Sequence, residues 1–441
     1  MSHVLLIKNG RVLDPATRTD AQLDVLLDDG KIARVAASLA ARGAEVFDAS
    51  GLIVAPGFID LHCHLREPGQ EISETIESGT RAAARGGFTA VCAMPNTQPV
   101  NDNASVTRSI IERAAACASV RVWPIGAASK SSQGEALAEI AAMHEAGIVA
   151  VSDDGKPLLT ARLARQVMDY CAPLGLPVIE HAEDVSLAAG GVMREGARSV
   201  RLGLPGIPAE SESICVARDI ELAAHAGARL HIAHLSAKQS LDHVRGAKKR
   251  GLAVTCEVTP HHFTLVDEDA GYDTNFKMNP PLGSREDREA LLAGLADGSV
   301  DAIATDHAPH HRASKEVEFE RATFGITGFE TALALGLSEL VHSGRLTLLR
   351  LVELFTSGPA RVLGLERKIA AGEPADLTIF SAEHAWTFRA AESASRSRNT
   401  PFDGRAFRGA PMATIVAGRI VFRRENSMAA SQPASHSQTR G

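Results

Sequence analysis

The stretch GFIDLHCHLREPG, residues 57–69, ends an apolar run in Asp60, His62 and His64 at alternate positions and adds Arg66 two residues on. In an extended strand residues i, i+2 and i+4 point to one side, so Asp60, His62 and His64 are expected to share a face. Other apolar runs end in the same way: Asp154 in AVSDDG, His181 in VIEHA, His234 in IAHLS and Asp306 in ATDHAPH. A lone histidine in an apolar strand is more often a satisfied core residue than a ligand. Four imidazoles and two carboxylates at equivalent strand ends reverse that preference once a fold brings the ends together. This donor set suits two borderline divalent cations, most simply zinc. Two cations side by side repel, so an anionic bridge is needed. Asp154 is the natural candidate, although Asp153 adjoins it and one of the pair is expected to hold the SDDG turn.

The elements that must position these residues follow a repeating pattern. Short β-type runs at 57–65, 87–95, 120–128, 148–154, 176–182, 229–236, 252–262 and 301–310 alternate with amphipathic, Ala-rich runs at 71–85, 102–118, 134–146, 158–174, 208–226, 239–250 and 284–297. Eight strands with intervening helices predict an α/β fold of the (β/α)8 TIM-barrel type over residues 56–365, in which chemistry collects where strands end and loops begin. An open doubly wound sheet is the competing architecture. It usually carries a Gly-rich phosphate turn after its first strand, and HLREPG is nothing of that kind.

The flanks have a different texture. Residues 1–55 and 366–425 both read as short strands with turns, which predicts one small β-sandwich domain assembled from the two chain ends. The segment 426–441, small and polar, is expected to be disordered. At 441 residues with 45% hydrophobic residues the chain can bury a large core, and a formal charge of −7 lacks the basic footprint that nucleic acid requires. The apolar stretch before Lys8 is too short for a signal peptide or a membrane span, so a cytoplasmic protein without membrane contact is expected. Six cysteines without CxxC spacing read as reduced, structural thiols.

Taken together, PGFIDLHCHLREPG, MPNTQPV, DDGKP, IEHAED, IAHLS, CEVTPHHF, FKMNPPL and ATDHAPH resemble the bacterial class I dihydroorotases of the amidohydrolase superfamily, in order and over nearly the whole chain. The DxHxH element is shared by many amidohydrolases; HLREPG with MPNT, KMNPPL and TDHAPH is more specific. The resemblance implies that His62, His64 and Asp306 hold one zinc ion and His181 and His234 the other, with Asp154 bridging. Many relatives bridge their metals with a carboxylated lysine; here the nearest lysine is Lys156, just past the turn, which stands as a minor alternative to the aspartate bridge.

The resemblance also implies an activity. A hydroxide shared by the two zinc ions would open the ring of L-dihydroorotate, and the same parts in reverse would cyclise N-carbamoyl-L-aspartate in pyrimidine biosynthesis. Asp306 would be the catalytic proton shuttle. Arg66, Asn96 and His310 would bind the substrate carboxylate, the backbone at Phe324 and Gly325 would complete that pocket, Asn279 would touch the ring, and His64 would lie on both metal and substrate sides. The polar segment 310–323 is a candidate cover for the substrate. A small-molecule substrate, a homo-oligomer and a partnership with aspartate carbamoyltransferase are the associations this resemblance suggests. Two rival readings are a hydantoinase or dihydropyrimidinase, against which Arg66, Asn96 and the missing bridge lysine count, and a non-catalytic partner of the transferase, which would typically have lost metal ligands.

Overall fold

A computed structural model of the chain describes residues 4–425, so the tail over 426–441, expected to be disordered, lies outside the described residues. The middle of the chain is a ring of parallel strands: Phe58–Cys63, Phe88–Ala93, Arg121–Pro124, Val178–Glu180, Leu230–Ile232, Val254–Val258 and Ala302–Ile303. They fall into a three-stranded and a four-stranded ladder. The fourth expected strand, at 148–154, joins the two ladders only through single bridges from Val151 to Gly126 and to Val178. Pro124 and Pro177 explain the gap: each stands where the neighbouring strand would have to donate an N–H, and proline has none. The ring closes on the other side through a bridge between Cys63 and His307, with the His64 N–H donating to the His307 carbonyl at 2.9 Å.

Helices over Ile76–Arg85, Ala104–Cys117, Ile140–Ala146, Ala161–Cys171, Glu210–Ala226, Lys238–Lys249 and Arg285–Asp297 link successive strands. Their starts are written locally: Thr75, Asn103, Thr160 and Ser284 each accept a backbone N–H from the first turn. Several expected strands are shorter than read; the run at 301–310, for example, forms a strand only over Ala302–Ile303. The run at 252–262 leaves the ladder at Val258, because Thr259 caps a short helix, Pro260–Thr264, with proline in its first turn.

The two chain ends meet as expected. Val4–Asp14, Thr19–Asp28, Lys31–Ala36, Glu45–Asp48 and Ile53–Pro56 join Leu377–Thr387, Ala406–Val416 and Arg419–Arg423 in one eight-stranded sheet. The first strand forks the sheet, pairing Leu5–Lys8 with Glu45–Asp48 and Arg11–Val12 with Ile53–Val54. The ends of the sheet then curl back towards each other: Ala375 N–H donates to the Gly30 carbonyl, and Gly418 N–H to the Ala375 carbonyl, both at 2.9 Å. Leu5, Ile7, Val25, Leu27, Val54, Leu377, Ile379 and Ile415 fill the enclosed core.

This domain is bound to the barrel where the first barrel strand begins. Gly57 N–H donates to the Asp376 carbonyl at 2.9 Å, and Phe58 N–H to Thr378 Oγ1 at 3.1 Å. The buried Asp376 carboxylate also takes a two-pronged bond from Arg121 of the third strand, at 2.7 and 3.0 Å, and a third from Arg367 at 3.0 Å. Burial would raise this carboxyl, but the guanidinium bonds prevail and hold it below the usual carboxylate range. Asp376→Asn is expected to lower stability by about 1–3 kcal/mol at neutral pH, read as a lower melting temperature. Because the folded-state pKa is depressed, that stabilisation exists above the ordinary carboxyl range and is lost as pH falls. The gap between wild type and variant should therefore narrow in acid, and a gap independent of pH would contradict the assignment.

Candidate metal centre

The strand ends bring all six expected ligand side chains to the mouth of the barrel. The Asp154 carboxylate lies among the four imidazoles: 3.2 Å from His62 Nε2, 3.4 Å from His64 Nε2, 3.5 Å from His234 Nε2 and 3.7 Å from His181 Nδ1. Asp306 Oδ1 stands 3.1 Å from His64 Nε2 and 3.6 Å from His62 Nε2. His181 Nδ1 and His234 Nε2 face each other at 3.0 Å. Ligand atoms of His62, His64 and Asp306, and those of His62, Asp154 and His234, each fall within 4.8 Å of one another.

Asp153 and Asp154, which the sequence left as alternatives, go separate ways. Asp153 Oδ1 accepts from the Ala128 and Ser129 N–H groups at 3.0 and 2.9 Å, and its other oxygen takes the Ser129 hydroxyl. It holds the turn, and Asp154 faces the histidines. Lys156 points elsewhere, with Nζ donating to the Ser132 carbonyl at 3.0 Å. Asp60 does not join the cluster. Its carboxylate accepts the Thr305 N–H at 2.8 Å and the Thr305 hydroxyl at 2.5 Å, and the strand register shifts between Asp60 and Cys63, which breaks the simple alternation.

Two observations test whether the cluster fits metal ions. His62 Nε2 and Asp154 Oδ1 are fully buried and complete no hydrogen bond although they are close neighbours. The electrostatics also call for positive charge. Burial disfavours a charged imidazole, yet Asp154 and Glu183 raise His181 to about 10. Burial likewise opposes ionisation of Asp154 and Asp306, but the surrounding histidines hold both carboxyls below their usual range. Buried nitrogens and ionised carboxylates that converge in this way are the donor set of a divalent site. Another buried group, Glu180, Cys215 and Asp219, already has its cation, since Arg218 bonds Asp219 at 2.8 and 3.0 Å.

Sequence reasoning missed the residue beneath His62. Glu257, fully buried in the seventh strand, accepts from His62 Nδ1 at 3.2 Å and from His231 Nε2 at 3.1 Å. Burial would raise its carboxyl, but the bonds from His231 and His62 hold it down at about 2. An ionised carboxylate on one ring nitrogen fixes the tautomer and aims the other nitrogen at the site. A single glutamate inside the apolar run AVTCEVTP was the available signal. Of the histidines left without a role, His262 is spent on Thr259 and the Pro280 carbonyl, and His311 caps the turn at Arg312–Ser314.

Beside the cluster lies a cavity of about 210 Å³ whose walls include Arg66, Asn96, Asn279, His310, Phe324 and Gly325. Arg66 is 7% exposed; its Nε donates to the Pro309 carbonyl at 3.1 Å, and Nη2 lies 3.3 Å from His310 Nε2. Burial, then the charges of Arg66 and Lys315, push His310 down to about 2, so its ring is neutral and Nε2 donates to the Phe324 carbonyl at 2.7 Å. Asn96 Oδ1 sits 2.9 Å from His64 Nδ1, and Asn279 Nδ2 lies 3.2 Å from His181 Nε2. Arg66, His234 and Asp306 all have left-handed backbones, with φ of 59°, 33° and 44°. Such strain in non-glycine residues persists only where the surroundings enforce it, and these are three of the nine such residues among those described.

Comparison with known proteins fits this geometry. A dihydro-orotase-like family model matches residues 51–240, and an amidohydrolase family model matches residues 216–422. The chain is 56% identical over 425 residues to a dihydroorotase of Solibacter usitatus, covering 96% of this chain and 99% of that one. It is 52% identical over 426 residues to a dihydroorotase of Anaeromyxobacter dehalogenans, covering 96% and 98%. Among solved structures, L-hydantoinase (dihydropyrimidinase) from Arthrobacter aurescens superposes with a TM-score of 0.85 at 26% identity, covering 95% of this chain and 96% of that one. Asp154→Ala is expected to cost the purified, zinc-supplied protein about one metal equivalent per chain, measured by elemental analysis after dialysis. Full retention would remove Asp154 from the ligand set.

Proposed function

The chain belongs to the dihydroorotase family of the amidohydrolases, enzymes that act on a cyclic amide in pyrimidine biosynthesis, and from that premise we propose how its own residues divide the work. The reaction is the reversible cyclisation of N-carbamoyl-L-aspartate to L-dihydroorotate in the cytoplasm. One observation carries the reading: a cluster of four imidazoles gathered on Asp154 opens into the same cavity as a buried arginine. His62, His64 and Asp306 would hold one zinc ion, His181 and His234 the other, with Asp154 between them. When bound, such a pair supplies a water that is nucleophilic at neutral pH and positive charge for the developing oxyanion.

In the ring-opening direction a C–O bond forms at the ring carbonyl and the ring C–N bond breaks. Asp306, held ionised beside His64 Nε2, takes the proton from the attacking water and passes it to the departing nitrogen. In the closing direction the carbamoyl nitrogen attacks the side-chain carboxyl carbon, Asp306 takes the nitrogen's proton and passes it to the departing carboxyl oxygen, and with one further proton from solvent that oxygen leaves as water. Arg66 binds the ring carboxylate, because a guanidinium presents paired N–H donors to a planar acid. The bond from Arg66 Nε to Pro309 fixes the plane of that group. Asn96, the neutral His310 and the backbone at Phe324 and Gly325 complete the acid pocket, and Asn279 lies against the ring.

Three outcomes test this assignment. Asp306→Asn should leave the melting temperature near that of wild type while lowering kcat by about 10²-fold or more; near-normal turnover would free Asp306 of its role. Arg66→Met should raise KM for dihydroorotate far more than it lowers the melting temperature, and an unchanged KM would mean that the acid is bound elsewhere. Closure consumes one proton, so the closed-to-open ratio at equilibrium should rise about tenfold per unit fall in pH near neutrality, measured by ultraviolet absorbance. Better turnover of neutral dihydrouracil than of dihydroorotate would replace the substrate assignment with a hydantoinase-type one.

A further inference from the structure

Among the described residues, two lysines are buried without a carboxylate partner at hydrogen-bond distance. Lys277 is 2% exposed and Lys315 5%. Lysine is almost never buried this deeply unless it is paired, so both demand an explanation. Their ammonium groups are held by backbone carbonyls. Lys277 Nζ donates to the Phe319 and Glu320 carbonyls at 2.8 and 3.0 Å, and Lys315 Nζ donates to those of Thr323 and Gly325 at 2.9 and 3.0 Å. Gly325 N–H closes the stitch by donating to the Lys277 carbonyl at 2.9 Å.

These bonds converge on one wall of the cavity. Lys277 Nζ lies 4.5 Å from the centre of the Phe324 ring, and Phe324 and Gly325 line the cavity with His310. The wall tolerates little change: Gly325 has φ of 118°, and a Cβ there would stand 2.6 Å from Ala308 Cβ. Asn399, from the C-terminal segment, also clamps it, donating to the Ala308 and Gly325 carbonyls at 2.9 and 3.0 Å. The carboxylates that act on the two lysines, Glu320 and Asp273, do so from beyond hydrogen-bond range, so neither lysine is neutralised by an ion pair.

We infer that Lys277 and Lys315 are positioning residues for acid recognition: they pin segment 315–325 so that the His310–Phe324–Gly325 wall is rigid, and they place positive charge behind it that favours an anionic ring over a neutral one. The inference rests on the substrate class proposed above. It also changes the reading of segment 310–323, whose end nearest the cavity is a fastened wall and not a free cover. Burial lowers Lys277 to about 8 and Lys315 to about 7, so each ammonium keeps its proton more readily with an anion seated nearby.

The test uses the zinc-loaded full chain with Lys315→Met and Lys277→Met made singly. Each is expected to raise KM for dihydroorotate about tenfold or more while kcat and zinc content stay close to wild type. Calorimetry with orotate and uracil separates charge from shape: affinity for anionic orotate should fall by a similar factor, and affinity for neutral uracil should not. Unchanged KM and orotate affinity, or equal loss for both ligands, would overturn the inference. If a methionine variant fails to fold, Lys315→Gln and Lys277→Gln, which keep a donor but lose the charge, decide by the same orotate-to-uracil ratio. Failure of the wild-type chain to open dihydroorotate would refute the reaction and not the wall, because orotate binding still tests the lysines.

Discussion

Carboxylates kept ionised in a buried mouth are the constraint around which the rest of this molecule is arranged. Asp154, Asp306 and Glu257 lie within one cluster, out of water, and each would protonate if burial acted alone. Taking such groups into a low-dielectric interior costs several kcal/mol per charge unless positive charge comes with them. Imidazoles supply part of it, and the geometry of their nitrogens fits divalent ions for the remainder. Glu257 serves this arrangement from below by fixing His62, and the same logic explains why Arg66 is buried at the rim and not extended into solvent.

The barrel is what makes the convergence affordable in conformational terms. Candidate ligands separated by more than 240 residues, such as His64 and Asp306, meet only because the eighth strand returns to the first through His307. The small domain contributes to the same end. By holding Gly57 and Phe58 through Asp376 and Thr378 it fixes the start of the strand that carries His62. The strained backbones at Arg66, His234 and Asp306 are then sustained by scaffold on both sides, which is how local strain survives at a site.

Much of this was legible along the chain. The alternation of apolar β-type runs with Ala-rich helical runs gave the layer order, and the histidines and aspartates at the run ends marked the mouth. At two strands the reading failed for identifiable backbone reasons. The fourth strand is reduced to single bridges by Pro124 and Pro177, and the seventh stops early because Thr259 and Pro260 start a helix. Glu257, Lys277 and Lys315 passed unnoticed because nothing in a linear sequence shows whether a charged side chain lies in solvent or in a core.

The sequence by itself determined the types of donor, their order and the period that makes strands and helices, because those depend on residue chemistry and on neighbours a few positions away. Only the tertiary structure decided which of Asp153 and Asp154 faces the histidines, that Asp60 turns to Thr305, and that two buried lysines lie behind the Phe324–Gly325 wall of the cavity. Each of those outcomes depends on a partner far off in the chain: Ser129 for Asp153, Thr305 for Asp60, and the Phe319 and Glu320 carbonyls for Lys277. Hydrogen bonds between distant residues exist only after the chain has closed upon itself, so no local pattern encodes them.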